Sequence, residues 1–309
     1  MSEQASSTSA APGSASAEAK ATTGVADDKQ ASLWSDAWYQ LRRSPMFIVS
    51  ALLIVLILLI AIFPGWFTDT SPVASDLSRS LERPSAEHWF GFDIQGRDYY
   101  ARVIYGARAS VAVGLLVVLT ASIIAVTLGS LAGYYGGAID AVIARVTDVF
   151  FALPTILGGL VLLTVLDNRG VPQVAMVLAV LGWPTMMRLM RSSVLAAARS
   201  DYVQAARALG ASDGRIMRRH ILPNAVTPVV VYATIFVGIV ITAEAALTFL
   251  GVGLQTPAIS WGLMISQAQT RLLEAPHLLL FPGAFLSVTV FSFILMGDAL
   301  RDALDPKLR

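Results

Sequence analysis

Residues 46–63 read MFIVSALLIVLILLIAIF, and this run decides the class of fold. It holds no charged side chain, and as an α-helix it is long enough to cross about 30 Å of hydrocarbon. A secretory signal peptide is the alternative, but its apolar core is usually shorter and lies nearer the start of the chain. We therefore interpret residues 46–63 as the first of several membrane spans.

Five further apolar runs follow and complete the predicted fold. Backbone amides and carbonyls in lipid must be hydrogen-bonded within the chain, so runs of this length are predicted to be helices. Pro184, in the fourth span, is expected to kink that helix or to mark its lower end. The sequence thus predicts an all-α membrane protein with six transmembrane helices, the last five at about 110–131, 149–166, 174–189, 226–250 and 278–296.

Composition agrees with this class. Of the 309 residues, 55% are hydrophobic and 14% charged, whereas soluble domains average about 25% charged residues. The formal net charge of +1 gives no global field that would favour nucleic acid. The chain has no cysteine, which excludes disulfides, thiol catalysis and cysteine-ligated zinc.

The distribution of basic residues predicts that both termini lie in the cytoplasm, because short cytoplasmic loops are enriched in arginine and lysine. The loop between the first and second spans is an exception, since six spans place it outside. We expect its arginines to be paired within a folded, partly interfacial segment. The basic residues that predict the orientation are Arg42, Arg43, Arg145, Arg188, Arg191, Arg199, Arg207, Arg215, Arg218, Arg219, Arg301, Lys307 and Arg309. The arginines of the loop between the first and second spans are Arg79, Arg83, Arg97, Arg102 and Arg108.

Two segments precede the first span. Residues 1–32 are rich in Ala, Ser, Thr and Gly without apolar periodicity, which predicts a disordered cytoplasmic tail. Residues 33–45 form an amphipathic segment with apolar side chains at helical spacing, and its tryptophans suit a membrane interface. A helix that simply caps the first span is the alternative interpretation. The apolar positions are Leu33, Trp34, Ala37, Trp38 and Leu41.

The connection at residues 193–224 is the most informative segment for function. Two short helices are predicted in it, the first starting near Asp201 and ending at Gly210, a natural C-cap residue. Ser212 or Asp213 can cap the second helix, which is expected to end near Pro223. A face of apolar and small residues would let another protein approach closely. The alternative is that the segment is an ordinary arginine-rich cytoplasmic loop that contacts no partner. That face is predicted to contain Tyr202, Ala205, Ala206 and Leu209.

The order of residues in this connection resembles a family signature. Permeases of binding-protein-dependent, ATP-driven importers carry Glu-Ala-Ala, three residues, Gly, and then Leu-Pro a dozen residues later. The matching residues here are Ala205, Ala206, Gly210, Leu222 and Pro223, whereas Gln204 replaces the glutamate and His220 an apolar residue. Both departures fit the peptide-transporting branch. In this family the connection forms a coupling helix that docks on the ATPase subunit, which implies contact by Asp201, Tyr202, Leu209 and Ala211 as well.

The resemblance extends from about residue 41 to residue 309, so residues 46–309 are expected to form one transmembrane permease domain. It fits the second of the two permease types in dipeptide and oligopeptide importers, in the bacterial plasma (inner) membrane. The segments that carry it lie at 88–93, 96–98, 105–108, 133–137, 244–253, 261–262, 281–283 and 297–306.

The resemblance also implies partners and cargo. A second, similar permease, two P-loop ATPase subunits and an extracytoplasmic peptide-binding protein would complete the importer, and its cargo would be di- or oligopeptides. Relatives that carry nickel, glutathione or another small solute remain open. No Gly-x-x-x-x-Gly-Lys-Ser/Thr loop occurs in the chain, so ATP and Mg²⁺ are expected on partner subunits and the chain itself is not expected to be an enzyme or to bind a cofactor.

Glu244 is the one acidic residue well inside a predicted span. Ionisable groups in lipid are costly and usually face the interior of the helix bundle or water. Contact with the pathway or a gate is one interpretation, and a structural hydrogen bond near the outer end of the helix is the other. An ion-driven transporter that acts alone would need more such groups near the midplane than this chain has.

Other polar residues are expected to have structural roles. Arg145 can pair with Asp148 at helical spacing, with docking to the ATPase as the alternative. Asp93, Arg97 and Asp98 are expected to cap and pair within their loop rather than to contact an external binding protein. The three histidines, His88, His220 and His277, share no metal-ligand spacing, so no metal site and no catalytic residue is predicted.

Overall fold

A computed structural model describes residues 38–304, and within that range the chain is helical apart from loops and one isolated bridge between Phe92 and Asp98. The predicted tail at residues 1–32, the first part of the 33–45 segment and residues 305–309 lie outside the described residues. The helices are α1 (Pro45–Ile62), α2 (Tyr99–Tyr135), α3 (Gly137–Phe151), α4 (Thr155–Thr164), α5 (Val171–Ala198), α6 (Asp201–Ala208), α7 (Asp213–Ile216), α8 (Leu222–Ala225), α9 (Thr227–Phe249), α10 (Trp261–Ala268) and α11 (His277–Leu304).

Five of these helices are long and apolar enough to cross a membrane: α1, α2, α5, α9 and α11. The pair α3 and α4 makes a sixth span if it is counted as one bent element. The all-α membrane fold predicted from the sequence is thereby confirmed for the described residues. Helices α6 to α8 lie at one end of the bundle, called the 201–225 end, and the long loop between α1 and α2 lies at the 63–98 end.

The predicted third span, residues 149–166, is not a single helix. The chain runs through α3, breaks at residues 152–154 and turns by 83° into α4. Pro154 explains the break, because proline has no amide hydrogen to donate and disfavours helical geometry in the residue before it. The apolar composition continues across the break, so a search for apolar runs alone does not detect it.

Helix α2 begins at Tyr99, well before the predicted boundary at residue 110. The Asp98 carboxylate caps it by accepting a 2.8 Å hydrogen bond from the amide of Ala101. Polar side chains in the first turns hid this start from the sequence analysis. One of them, Arg108, donates to the carbonyls of Ala61 and Ile62 at the end of α1, both at 3.2 Å.

Helix α5 also departs from prediction. Pro184 lies inside it and does not mark its lower end, since the helix continues to Ala198. Neighbouring helices in a membrane protein can hydrogen-bond the backbone groups that a proline frees, so a proline within a span is tolerated. The added turns after residue 189 carry α5 out to the 201–225 end, where α6 follows.

Helices α2 and α5 cross at small residues. A Cβ atom added at Gly129 would stand 2.7 Å from the Cβ of Met190, and one at Gly133 would stand 2.7 Å from the carbonyl oxygen of Arg191. Real Cβ contacts are longer, so only glycine permits this approach. Small residues serve the same purpose at helix crossings throughout membrane proteins, where close van der Waals packing replaces the hydrophobic effect.

The loop at the 63–98 end is folded, and ion pairs neutralise several of its arginines. The Asp93 carboxylate pairs with Arg97 at 2.7 Å and with Arg102 at 3.2 Å. The guanidinium of Arg79 lies 4.0 Å from the centre of the Phe92 ring. Of the five arginines expected to be paired, Arg79, Arg97 and Arg102 form ion pairs, whereas Arg108 donates to carbonyls of α1 and Arg83 forms no ion pair among the described residues. The predicted pairing and capping roles of Asp93, Arg97 and Asp98 are confirmed.

The α2–α5 crossing generates a stability prediction. We expect Gly133→Ala to destabilise the protein by about 1–3 kcal/mol, because the new methyl group meets backbone that cannot move aside. The matched control is Gly283→Ala in α11, where nothing lies within 4 Å of the added Cβ. Thermal unfolding in detergent should show a lower midpoint for the first variant only, and equal midpoints would contradict the close crossing.

Candidate functional site

The short helix α6 presents an apolar face outward. Val203 is fully buried and Ala206 is half-buried against the core. Tyr202 and Leu209 point away from the chain, with 43% and 88% of their surface exposed. The prediction that four residues share the outward face is therefore wrong for Ala206, which packs inward beside Val203. The burial of Val203 was not predicted from the sequence. The predicted residues that face solvent are Asp201, Tyr202, Ala205, Leu209, Gly210 and Pro223, and those that are half-buried are Ala206, Ala211 and Leu222.

Gly210 ends this helix as the sequence predicts. Its φ of +79° lies in the left-handed region that favours glycine. The amide of Ala211 donates to the carbonyl of Ala206 at 3.1 Å, and the amide of Gly210 donates to that of Arg207 at 3.0 Å. These two bonds form a Schellman motif, which satisfies carbonyls at the helix end and fixes the direction of the chain into α7.

The second predicted helix does not end near Pro223. Helix α7 passes into one π-helical turn, Met217–Ile221, and then into α8, which contains Pro223. The amide of Leu222 donates five residues back to the carbonyl of Met217. Such a widened turn can accommodate a proline, which has no amide hydrogen for the regular ladder. The segment is thus helical almost continuously into α9, which gives α7 a stiff connection to the membrane helices.

The caps of α7 also differ from expectation. Ser212 stands at the cap position but makes no side-chain hydrogen bond there. Asp213 instead accepts a 2.6 Å hydrogen bond from the hydroxyl of Tyr134, near the end of α2. The side-chain amide of Gln204 donates to the carbonyl of Ala198 at 3.0 Å, so it caps the last turn of α5. A glutamate, which has no donor when ionised, could not make that bond.

A set of arginines lies in α6 and in the segments next to it along the chain. None of them forms an ion pair within residues 38–304, and all are exposed. Together with the exposed Asp201 and Asp213, they leave this segment with an excess of positive charge. The arginines are Arg199, Arg207, Arg215, Arg218 and Arg219.

Two ion pairs join α5 to α3 next to this surface. Arg191 holds the Asp140 carboxylate through two nitrogens, both at 2.5 Å, and Arg188 holds Asp148 at 2.8 Å. The predicted local pair of Asp148 with Arg145 is present only at 3.8 Å, and the Arg145 side chain is 88% exposed. The contact between helices is therefore the shorter one. It could not be predicted from local spacing, because the partners lie 40 residues apart.

A cavity of about 690 Å³ opens beside the break between α3 and α4. Its walls come from these two helices and from the middle of α5, α9 and α11. No charged side chain is among the described residues that line it. The lining residues are Phe150, Phe151, Leu153, Pro154, Thr155, Ile156, Leu178, Leu181, Gly182, Pro184, Thr185, Tyr232, Phe236, Ile239, Val240, Thr242, Ala243, Ala246, Val290 and Ile294.

Glu244 is fully buried in α9 and does not line this cavity. Its Oε1 atom accepts hydrogen bonds from the hydroxyls of Thr248, at 2.8 Å, and Ser260, at 3.3 Å. The Thr248 hydroxyl in turn accepts from the amide of Leu254, and that of Ser260 from the amide of Leu263. Glu244 thereby orients two hydroxyls that hold the chain between α9 and α10. Histidines, cysteines and acidic residues form no cluster able to hold a metal ion in the part of the chain that the structure describes.

Comparison with known families decides the class of the chain. The family model for the inner membrane component of binding-protein-dependent transport systems matches residues 125–309. This chain belongs to that permease family. A second model, for the N-terminal transmembrane domain of oligopeptide transport permease C, matches residues 32–84 of the permease.

Named relatives cover most of the permease. It is 41% identical to a dipeptide transport system permease of Alkalihalophilus pseudofirmus, over 89% of this chain and 90% of the relative. It is 38% identical to an oligopeptide transport system permease of Bacillus subtilis, over 91% and 92%. It is also 38% identical to a glutathione transport system permease of Pectobacterium atrosepticum, over 89% and 92%.

A solved structure supports the fold of the permease. The crystal structure of an amino acid ABC transporter with histidines aligns with a TM-score of 0.50 and 16% identity, over 64% of this chain and 92% of that one. At this identity the likeness concerns the arrangement of helices alone.

The hydrogen bonds of Glu244 give a prediction for this permease. Glu244→Leu should destabilise it by about 1–3 kcal/mol, because two buried hydroxyls lose their acceptor. Glu244→Gln keeps an oxygen in the same place and should cost less. Thermal unfolding of the purified protein checks this, and a glutamine variant as unstable as the leucine variant would show that the hydrogen-bond acceptor is not what matters.

Proposed function

We propose that this permease is the membrane-spanning subunit of an ATP-driven importer of di- or oligopeptides. It would form half of the translocation pathway with a second, similar permease. Two P-loop ATPase subunits would bind ATP and Mg²⁺, and an extracytoplasmic binding protein would deliver the peptide. The names of the dipeptide and oligopeptide permeases to which the chain is 38–41% identical support this cargo.

The outward face of α6 is the observation that carries the proposal. Tyr202 and Leu209 expose apolar surface that a chain acting alone would be expected to bury. Exposed apolar patches with a polar rim mark sites of protein association. The arginines in and beside α6 favour a partner surface that is acidic or rich in hydroxyls and carbonyls, since complementary charge sets orientation and speeds association. We assign the face to the ATPase subunit, with Asp201, Ala205 and Gly210 also in contact.

The orientation follows from the same proposal. The 201–225 end would lie in the cytoplasm together with both termini, and the 63–98 end would face outward. ATP binding would close the ATPase pair and displace α6 and α7, and the segment from Asp201 to Arg215 would pass that displacement to the spans in alternating access. The ion pairs of Arg188 and Arg191 support a stiff path from this surface to α3.

Glutathione is the second candidate cargo, because a glutathione permease is 38% identical to this chain over most of both. Nickel is a weaker candidate, since no cluster of metal ligands occurs in the described part of the chain. Glu244 would act in either importer as a structural tie at the outward end and not as a contact to cargo, since its hydrogen bonds come from Thr248 of the same helix and from Ser260, which caps α10.

The proposed docking face can be tested by one substitution. Leu209→Asp places a carboxylate at the centre of the apolar face, and the full assembly should lose its ATPase subunits while keeping the second permease. The matched control is Leu273→Asp, at the 63–98 end, where the side chain is 100% exposed. The measurement is co-purification of the tagged chain from its native membrane with subunits identified by mass.

The two variants have distinct expected outcomes. ATPase subunits should accompany the wild type and the Leu273→Asp variant but not Leu209→Asp. Retention of the ATPases by Leu209→Asp would contradict docking at α6. A wild-type chain that purifies alone and still moves solute down an ion gradient in liposomes would contradict the importer itself.

A further inference from the structure

The end of α2 is held in a fixed position against α5. A Cβ atom at Gly129 or Gly133 would clash with α5, so the two helices meet there at backbone distance. Tyr134 follows Gly133 directly and lies one residue before the end of α2. Its ring packs against the core and meets the ring of Tyr135 edge-on, at 5.2 Å between ring centres. The phenol of Tyr134 therefore extends from a helix end that has little freedom to turn.

The hydroxyl of Tyr134 joins α2 to the 201–225 end. It donates a 2.6 Å hydrogen bond to Oδ1 of Asp213, the first residue of α7, which lies 79 residues further along the chain. A hydroxyl that donates to a carboxylate forms a shorter and stronger hydrogen bond than a neutral pair does. Because Asp213 is otherwise exposed, this bond sets the position of its side chain.

Helix α7 is thereby linked to two groups of membrane helices. In one direction it continues through the π-helical turn and α8 into α9. In the other direction Tyr134 ties it to α2, which is packed closely on α5. The Schellman motif at Gly210 fixes α7 to α6. A displacement of α6 and α7 therefore acts on α9 along the chain, and the hydrogen bond to Asp213 makes the α2–α5 pair follow the same displacement.

We propose that Tyr134 is a positioning residue for transport, which passes the movement of α7 to α2 through its hydrogen bond with Asp213. The proposal rests on the docking of an ATPase subunit at α6, and it assigns a role to a residue outside the docking face. Without the hydroxyl, ATP hydrolysis would still displace α6 and α7, but the α2–α5 pair would follow incompletely. Less cargo would then cross the membrane for each ATP that is hydrolysed.

Single substitutions isolate this hydrogen bond. Tyr134→Phe removes only the hydroxyl, and Asp213→Ala removes the acceptor. Asp213→Asn keeps a side-chain carbonyl oxygen that can accept the same bond. The matched control is Tyr135→Phe, the same chemical change one residue later, because the Tyr135 side chain is 54% exposed and its hydroxyl donates to no group among the described residues.

The experiment uses the complete importer in proteoliposomes with its binding protein and ATP. Uptake of dialanine, uptake of glutathione and ATP hydrolysis are measured in the same vesicles, and the ratio of cargo to ATP is taken for whichever compound the wild type imports. We expect Tyr134→Phe and Asp213→Ala each to lower this ratio roughly fivefold, the change in an equilibrium that a typical hydrogen bond makes. The double variant should fall no further, because both changes remove one interaction. Asp213→Asn and Tyr135→Phe should stay close to the wild type, and every variant should keep its ATPase subunits.

The outcomes separate this inference from the function on which it rests. A wild-type assembly that imports neither compound on adding ATP contradicts the proposed function and, with it, the role of Tyr134. A wild type that imports one of them, with an unchanged ratio in Tyr134→Phe, contradicts only the role of Tyr134. The role is also contradicted if uptake and hydrolysis fall in proportion or if Tyr134→Phe loses its ATPase subunits, because the bond would then only stabilise the fold. An Asp213→Asn variant as impaired as Asp213→Ala would show that the hydrogen bond is not the link.

Discussion

A backbone amide or carbonyl without a partner in hydrocarbon costs several kcal/mol, and this constraint shapes the whole molecule. It makes five of the spans continuous helices. It applies equally to the interruption at residues 152–154, where backbone groups at the 83° bend need water or protein beside them. The same constraint accounts for the π-helical turn before Pro223 and for the Schellman motif at Gly210, each of which pairs backbone groups that the local sequence would leave free.

Helix α5 runs from the cavity beside the α3–α4 break to the 201–225 end. At its middle it forms a wall of the cavity, and near its end Arg188 and Arg191 bind the carboxylates of α3. Close packing on Gly129 and Gly133 of α2 leaves it little room to bend. A displacement at α6, three residues beyond the end of α5, would therefore reach the broken span as a movement of packed helices. The guanidinium of Arg188, 3.8 Å from the Phe151 ring, lies at the point where the ion pairs meet the cavity wall.

Much of this could be predicted from sequence, and the remainder depends on contacts that are distant along the chain. Apolar runs predicted the spans, and Gly210 predicted the end of α6, because both signals are local. The early start of α2 was missed since Arg102 and Arg108 look like loop residues until their partners are known. Pro154 was a local signal for the broken span that the continuous apolar composition obscured. Ala206 was placed on the wrong side of α6, because a short helix with two apolar faces does not show which one is buried.

Cross-linking can determine whether the exposed face of α6 lies against an ATPase subunit. The chain has no cysteine, so Leu209→Cys and Leu273→Cys each introduce a single reactive thiol. A short cross-linker from the thiol to amines, applied to native membranes, should join the chain to a P-loop ATPase through position 209 and not through position 273. A cross-link to an ATPase from position 273, or none from position 209 in an assembly that still hydrolyses ATP, would show that α6 is not the docking face.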